Sequence, residues 1–255
     1  MALYFSPRLL KELTGSDEVD VTGGADVKIS VALKTGIVNA DGGVDAAQLL
    51  AVRGLRRLVR RQLRRAGCRV VRAKGAKVGD LVSIKVGYFA YGVVKTMLVR
   101  SRSTHWFFTG QGTTRNGNID LAVIGSVDNY ARWLGAEEEA RINNGASWFP
   151  SSPEQLGWIM ESVGAIASGA TDSELAVIGD EAWRQPGAQF EKALSTIAAL
   201  HHNSHRQDRR LKIDVHQHQF ERGRMLASVS DVRRDDGGSN TGLLLRPLLI
   251  TNSGR

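Results

Sequence analysis

The stretch that most constrains this chain runs from Asp45 to Lys77, DAAQLLAVRGLRRLVRRQLRRAGCRVVRAKGAK. At about 100° per residue, Val52, Leu55, Leu58, Val59, Leu63 and Ala66 share one arc of roughly 140°. Arg53, Arg56, Arg57, Arg60, Arg61, Arg64 and Arg65 fill the other side. This pattern predicts one amphipathic helix over the first two-thirds of the stretch, its apolar stripe buried and a guanidinium face left in water. Asp45 is a candidate N-cap or first-turn acid, and Gly67 a candidate stop just past the last turn. Arg favours helix; Gly54 is the dissent, at about 1 kcal/mol relative to Ala.

The charge of the whole chain gathers here. Residues 51–77 hold eleven Lys and Arg and no acid, whereas the chain as a whole carries +8, so the remainder is net −3. A mildly acidic body with one strongly basic element points to a local anionic contact. Its bland counterpart is a solvated face that pairs with acids elsewhere in the fold.

At 255 residues with 42% apolar content, the chain is long enough for a buried core. No apolar run approaches the length of a membrane-spanning helix. The opening MALYFSPRLL lacks the charged and long apolar regions of a signal peptide. Cys68 is the single cysteine, which excludes an intramolecular disulfide and a cysteine-cluster zinc site. These features fit a cytoplasmic protein.

Along the chain, Ala2–Ser6 reads as a strand, and Ser6-Pro7 starts a helix to about Thr14. Gly15–Gly24 is acidic and turn-rich, hence a loop; Val27, Ile29, Val31 and Leu33 alternate as a strand. Past the basic helix, Arg69–Arg72 is a short strand. Val82, Ile84, Val86, Tyr88 and Ala90 then share one face at period two. Lys95–Arg100 and His105–Thr109 continue the β region. Gly110–Asn118 reads as a loop containing the Asn116-Gly117 turn, followed by the strand Ile119–Ile124 and a helix Val127–Leu134. Helices start at Ser152-Pro153, at the capping box Thr171–Glu174 and at Pro186. Two closing strands, Leu211–Phe220 and Leu243–Ile250, flank the polar loop Arg233–Thr241. The order predicts an α+β fold: a mixed or mainly antiparallel sheet, one Arg-rich helix, and a helical insertion, about 136–205, before the last two strands. The closing strands are expected to rejoin the first sheet, making residues 1–255 a single α+β domain.

Three stretches together resemble an uncharacterised bacterial domain family: Leu3-Tyr4-Phe5-Ser6; Trp106-Phe107-Phe108-Thr109-Gly110 followed by Leu121-Ala122-Val123-Ile124-Gly125-Ser126; and Leu245-Arg246-Pro247-Leu248-Leu249-Ile250. In that family an aromatic-Gly strand precedes an apolar strand ending in Gly-Ser, and a His usually follows within a turn. Here the corresponding place is near Asn129. The resemblance implies an α+β domain associated with bacterial signalling or conflict systems. It brings no established activity and lends no catalytic residue.

Candidate sites fall into two groups. The binding candidates for an anionic partner are Arg53, Arg57, Arg60, Arg61, Arg64 and Arg65. The metal candidates are Asp214, His216 and His218, at i, i+2 and i+4 of a predicted strand and so on one face. The polar face of a half-exposed strand explains the same pattern. His201, His202 and His205 end the preceding helix, with His201 and His205 on one face at i, i+4; they could complete a metal site with His216 and His218, or simply suit the dipole as imidazolium. Gly110-Gln111-Gly112-Thr113-Thr114-Arg115 invites a phosphate-loop reading but lacks the Walker ending, and a hairpin loop accounts for it. Ser126 follows a strand without the nucleophile-elbow pattern, so it or Asp128 serves as an N-cap. Cys68 follows a helix end, where the dipole does not favour a thiolate.

The function read from these features is a non-catalytic binding or regulatory protein of the bacterial cytoplasm. Its basic helix engages an anionic partner: an acidic protein surface, a nucleotide or nucleic acid. The alternatives are a metal-dependent enzyme using the His-rich C-terminal region and a sequence-independent nucleic-acid-binding protein. No cofactor is named by the sequence.

Overall fold

In the structure, a computed structural model, residues 2–15, 18–23, 27–32, 54–98, 103–130, 153–171, 173–174, 188–202, 211–220 and 222–252 are described. Of these, backbone alone is described for 18–23, 27–32, 95–98, 103–106, 128, 153–159, 188, 201–202 and 211–220.

Strand β1 is Ala2–Phe5 and helix α1 is Pro7–Thr14. Ser6 caps α1, its hydroxyl accepting from the Leu9 amide at 3.3 Å, and Pro7 takes the first helical position, where no amide bond is lost. Glu18–Gly23 is not a loop: it is β2, which pairs in a hairpin with β3, Val27–Ala32. Val19 and Val21 alternate with Glu18, Asp20 and Thr22, a period-two pattern that the acidic composition masks.

The basic helix, α2, spans Leu55–Arg65. It does not run through Gly54, which stands at its N-terminus with φ +90°, outside helical geometry. Its C-terminus closes as the sequence indicates. Gly67 adopts φ +72°, and the Gly67 and Cys68 amides donate to the Arg64 and Leu63 carbonyls at 3.0 and 2.8 Å, a Schellman ending. Residues 33–53, including Asp45 and Arg53, lie outside the described residues.

The remaining strands are β4 (Val70–Val71), β5 (Leu81–Leu98), β6 (Ser103–Thr114), β7 (Asp120–Ser126), β8 (Leu211–Phe220), β9 (Gly223–Arg234) and β10 (Asn240–Asn252). Helices α3 (Pro153–Ala167) and α4 (Ala188–His202) lie between β7 and β8. The α+β class holds, but the sheet is not open. β5 pairs with β6, β6 with β7, β7 with β10, β10 with β9, and β9 returns to β5, closing a five-stranded barrel. All these pairs are antiparallel except β7–β10. In chain order the barrel strands run 1-2-3-5-4, with helices between the third and fourth. This is the order of the small Greek-key barrels of the OB class.

Three closing strands rejoin the sheet, where the sequence indicates two. β9 goes unnoticed because Arg224, Ser228 and Ser230 dilute its apolar positions. Of the helix expected at Val127–Leu134, Val127–Asn129 is a 3₁₀ turn and Tyr130 a bridge to Tyr4, while residues 131–134 lie outside the described residues. The capping box is present: Thr171 and Glu174 exchange backbone–side-chain bonds of 2.7 and 3.4 Å.

The long strand β5 is bent by a bulge. Val86 stands opposite Thr114 but Tyr88 opposite Thr113, so one extra residue enters on β5. Val82, Ile84 and Val86 face the barrel interior as expected; after the bulge the interior set is Phe89, Tyr91 and Val93. Tyr88 is thereby turned out, 40% exposed, instead of sharing the face of Val86. The bulge needs Gly87, since a Cβ there would stand 2.9 Å from the Thr114 carbonyl oxygen and 3.0 Å from Arg115 Cα.

Gly110–Thr114 belongs to β6, not to a loop; the turn follows it, with Gly117 at φ +70°. Gly110 and Gly112 are a saddle for Phe89. A Cβ on Gly110 would meet the Phe89 ring at 2.3 Å, and one on Gly112 the Tyr88 carbonyl oxygen at 2.1 Å.

Helices cover two outer faces of the barrel. α3 and α4 place Met160, Val163, Ile166, Phe190, Ala193, Ile197 and Leu200 over Val94, Phe107, Ala122, Ile124 and Leu244. The α4 start is tied down by Asp231, buried, which accepts from the Phe190 amide at 2.9 Å. Arg233 adds bonds to Asp120 at 2.6 Å and Glu191 at 3.0 Å. On another face, Leu9 and Leu10 of α1 and Leu55, Leu58, Val59 and Leu63 of α2 pack with Phe5, Leu81, Leu226, Leu248 and Leu249.

Two substitutions check this architecture. Gly54→Ala lowers stability by about 1 kcal/mol, because its φ is costly for any residue with a Cβ. If the helix ran through Gly54, the same change would raise stability by about 1 kcal/mol. Urea midpoints distinguish the two signs. Gly112→Ala costs about 3 kcal/mol, since the clash is with backbone and no rotamer relieves it; a neutral Gly112→Ala would mean that Phe89 does not sit on β6 in this way.

A candidate anion-binding surface

The buried stripe of α2 is the expected one, Leu55, Leu58, Val59 and Leu63. Ala66, expected on the stripe, is exposed because it is the C-cap and no longer follows the helical path. Arg57, Arg61, Arg64 and Arg65 are exposed, whereas Arg56 and Arg60 are half-buried against the barrel. Arg60, expected in open solvent, reaches down and donates from Nη2 to Ser83 Oγ at 2.8 Å.

Ser83 and Lys85 follow each other on the outer side of β5, and their partners across the ladder are Leu226 and Arg224 of β9. Lys85 and Arg224 therefore stand directly opposite each other, both exposed. Like charges at this separation repel. Arg56 feels the crowd: burial first, then the neighbouring charges of Arg60 and Arg224, lower its guanidinium pKa to about 10. It remains cationic at neutral pH. Arg56, Arg60, Lys85 and Arg224 thus form one cationic cluster, drawn from a helix and two strands. Among the described residues no carboxylate pairs with any of the four.

The basic run continues past α2 with Arg69, Arg72, Lys74 and Lys77, all exposed. Its backbone is fixed to the barrel by Asn240, whose buried Nδ2 donates to the Ala73 and Ala76 carbonyls at 2.8 and 2.7 Å. Cys68 is occupied structurally: Sγ donates to the Leu13 carbonyl at 3.1 Å and links the end of α2 to α1.

The structure brings Arg57, Arg60, Arg61, Arg64 and Arg65 onto one helix; Arg53 lies outside the described residues. Sequence reasoning passes over Lys85 and Arg224. Their meeting depends on the β5–β9 register, and neither segment carries a local charge signal. Asp214, His216 and His218 lie on β8, where backbone alone is described. Asp214 stands opposite Val93 and His218 opposite Tyr91, and the ladder shifts between these pairs. His201 and His202 end α4, likewise backbone only, and His205 lies outside the described residues. The would-be phosphate loop is strand β6, so its amides serve the ladder to β5 and β7. Ser126 ends β7, and Asp128 is described by its backbone alone.

The stretches that carry the family resemblance lie side by side, on β1, β10, β7 and β6 in that sheet order. At the place of that family's His, Asn129 donates from Nδ2 to the Tyr4 hydroxyl at 3.2 Å. A search of family models, of curated proteins and of solved structures finds no match to this chain. No helix among the described residues is long and apolar enough to cross a membrane.

The cationic cluster has a thermodynamic signature. Arg224→Gln relieves its repulsion with Lys85 and Arg56 and raises stability by about 0.5 kcal/mol at low ionic strength. Added salt screens the same repulsion, so the gain shrinks toward zero near 1 M salt. Thermal melts across a salt series measure both. A loss of stability in Arg224→Gln at low salt would show that Arg224 has an anionic partner in the fold.

Proposed function

We propose that this chain is a binding protein for a polyanionic partner, which it engages through α2 and the adjoining strip of β5 and β9. The observation that carries the reading is the cluster of half-buried Arg56 and Arg60 with exposed Lys85 and Arg224, which has no carboxylate partner among the described residues. Holding four cations together without counter-charge opposes folding, and an anion supplied from outside turns that cost into affinity. Exposed Arg57, Arg61 and Arg64 extend the field along the helix.

The strand order assigns no ligand by itself, because one barrel carries many functions. Barrels of this order commonly use the outer face of the second and third strands. In this chain that face, β6 and β7, contributes Phe107, Ala122 and Ile124 to the layer under α3 and α4. The cationic strip is elsewhere, on β5, β9 and α2. A regulatory role in a bacterial signalling or conflict system, which the family resemblance implies, is compatible with such a module and belongs to this proposal.

The test replaces Arg57, Arg61 and Arg64 by Glu. Binding to heparin and to nucleic acid is lost, while stability changes by less than about 0.5 kcal/mol, since the three side chains are exposed. For duplex DNA, log K of the unaltered protein falls against log salt with a slope of about −0.9 per phosphate neutralised. Failure of the unaltered protein to bind any polyanion at low salt would remove the proposal.

A further inference from the structure

The bulge in β5 does more than bend the strand. It turns Tyr88 outward, making it one of the few large apolar side chains left exposed among the described residues. From Ser83, where Arg60 is anchored, the outer side of β5 runs through Lys85 to Tyr88 over about 16 Å at 3.3 Å per residue. Arg224 flanks Lys85 across the β9 ladder. Arg115, exposed, is fixed beside it by its amide, which donates to the Lys85 carbonyl at 2.8 Å. Arg222, also exposed, precedes the β9 residue that pairs with Val86. An aromatic ring thus lies on a strip with Lys85, Arg115, Arg222 and Arg224 near it and Arg60 at the far end. The outer positions of β5 and β9 along this strip carry no acid.

We infer that this strip is a site for single-stranded nucleic acid, in which Tyr88 stacks on a base and the surrounding cations hold the adjoining phosphates. The inference rests on the polyanion reading above and narrows it to one class of partner. A duplex offers its bases only at groove edges, so an exposed ring gains nothing on it; an unpaired base has a free π-face. An acidic protein surface needs the cations but not the ring.

Fluorescence anisotropy with labelled oligo-dT and oligo-U of about 15 nucleotides, and with a duplex of equal length, tests the assignment. The unaltered protein binds the single strands more tightly than the duplex. Tyr88→Ala weakens single-strand binding about tenfold or more and leaves duplex and heparin binding unchanged, whereas Tyr88→Trp retains it. Lys85→Ala with Arg224→Ala lowers affinity for every polyanion and makes the salt slope shallower. Equal single-strand affinity in Tyr88→Ala, with its melting temperature unchanged, overturns the stacking site. So does a preference for duplex. Binding of heparin or polyglutamate without binding of any oligonucleotide overturns this inference and leaves the polyanion reading standing; no binding to any of them overturns both.

Discussion

Closure of the barrel depends on β5. Its two edges are each divided between two partners. One edge pairs with β4 at Leu81–Val82 and then with β6; the other pairs with β9 up to Val86 and then with β8 from Phe89. A straight, flat strand of this length cannot serve neighbours that curve away on both sides. The extra residue at Gly87–Tyr88 supplies the bend, and the parity change it causes decides which side chains fill the barrel. Phe89 then lies over Gly110 and Gly112, and its ring joins an interior cluster with Tyr91, Phe108 and Tyr130, at centroid separations of 5.4 to 5.9 Å for successive pairs.

The layers outside the barrel follow from the same closure. An outer barrel surface that alternates apolar with polar residues must be covered or left wet. Over β6, β7 and β10 it is covered by two helices in close contact: a Cβ on Gly164 of α3 would stand 2.9 Å from Thr196 Oγ1 of α4, whose hydroxyl bonds the Met160 carbonyl at 3.2 Å. Over β9 and the far end of β10 it is covered by α1 and α2. Among the described residues, no apolar helix face covers the part of β5 and β9 that carries Lys85, Tyr88 and Arg224. Among the described residues, the cationic surface is the part of the barrel wall left uncovered, bordered by the polar side of α2.

What was legible in the sequence was local. The period of Leu55, Leu58, Val59 and Leu63 marks α2 because a helix records its buried side within eleven residues. Ser6-Pro7 and the Thr171–Glu174 box mark helix starts through chemistry that acts over three residues. The bulge was not legible: Val82 to Ala90 keeps a clean period of two in letters, and only the crowding of Gly87 by Thr114 and Arg115 breaks it in space. Gly110 and Gly112 look like loop residues because the ring that demands them lies on another strand. The candidate site divides in the same way. Its helix half is a run of arginines that any reading finds; its strand half, Lys85 with Arg224, exists only through a register between distant segments.

Strand β10 is neighbour to β1, β7 and β9 at once, with Thr251 opposite Ala2 and Leu243 opposite Leu121. Pairings between segments so far apart in sequence form late and slowly, because a long loop must be ordered before any contact repays it. During synthesis, Tyr4 and Phe5 emerge first yet find their strand partner only when residues 249–251 have left the ribosome. Until then β1, β7 and the inner side of β9 offer unpaired edges, and a nascent chain of this protein is expected to need a chaperone over that interval more than the finished barrel ever does.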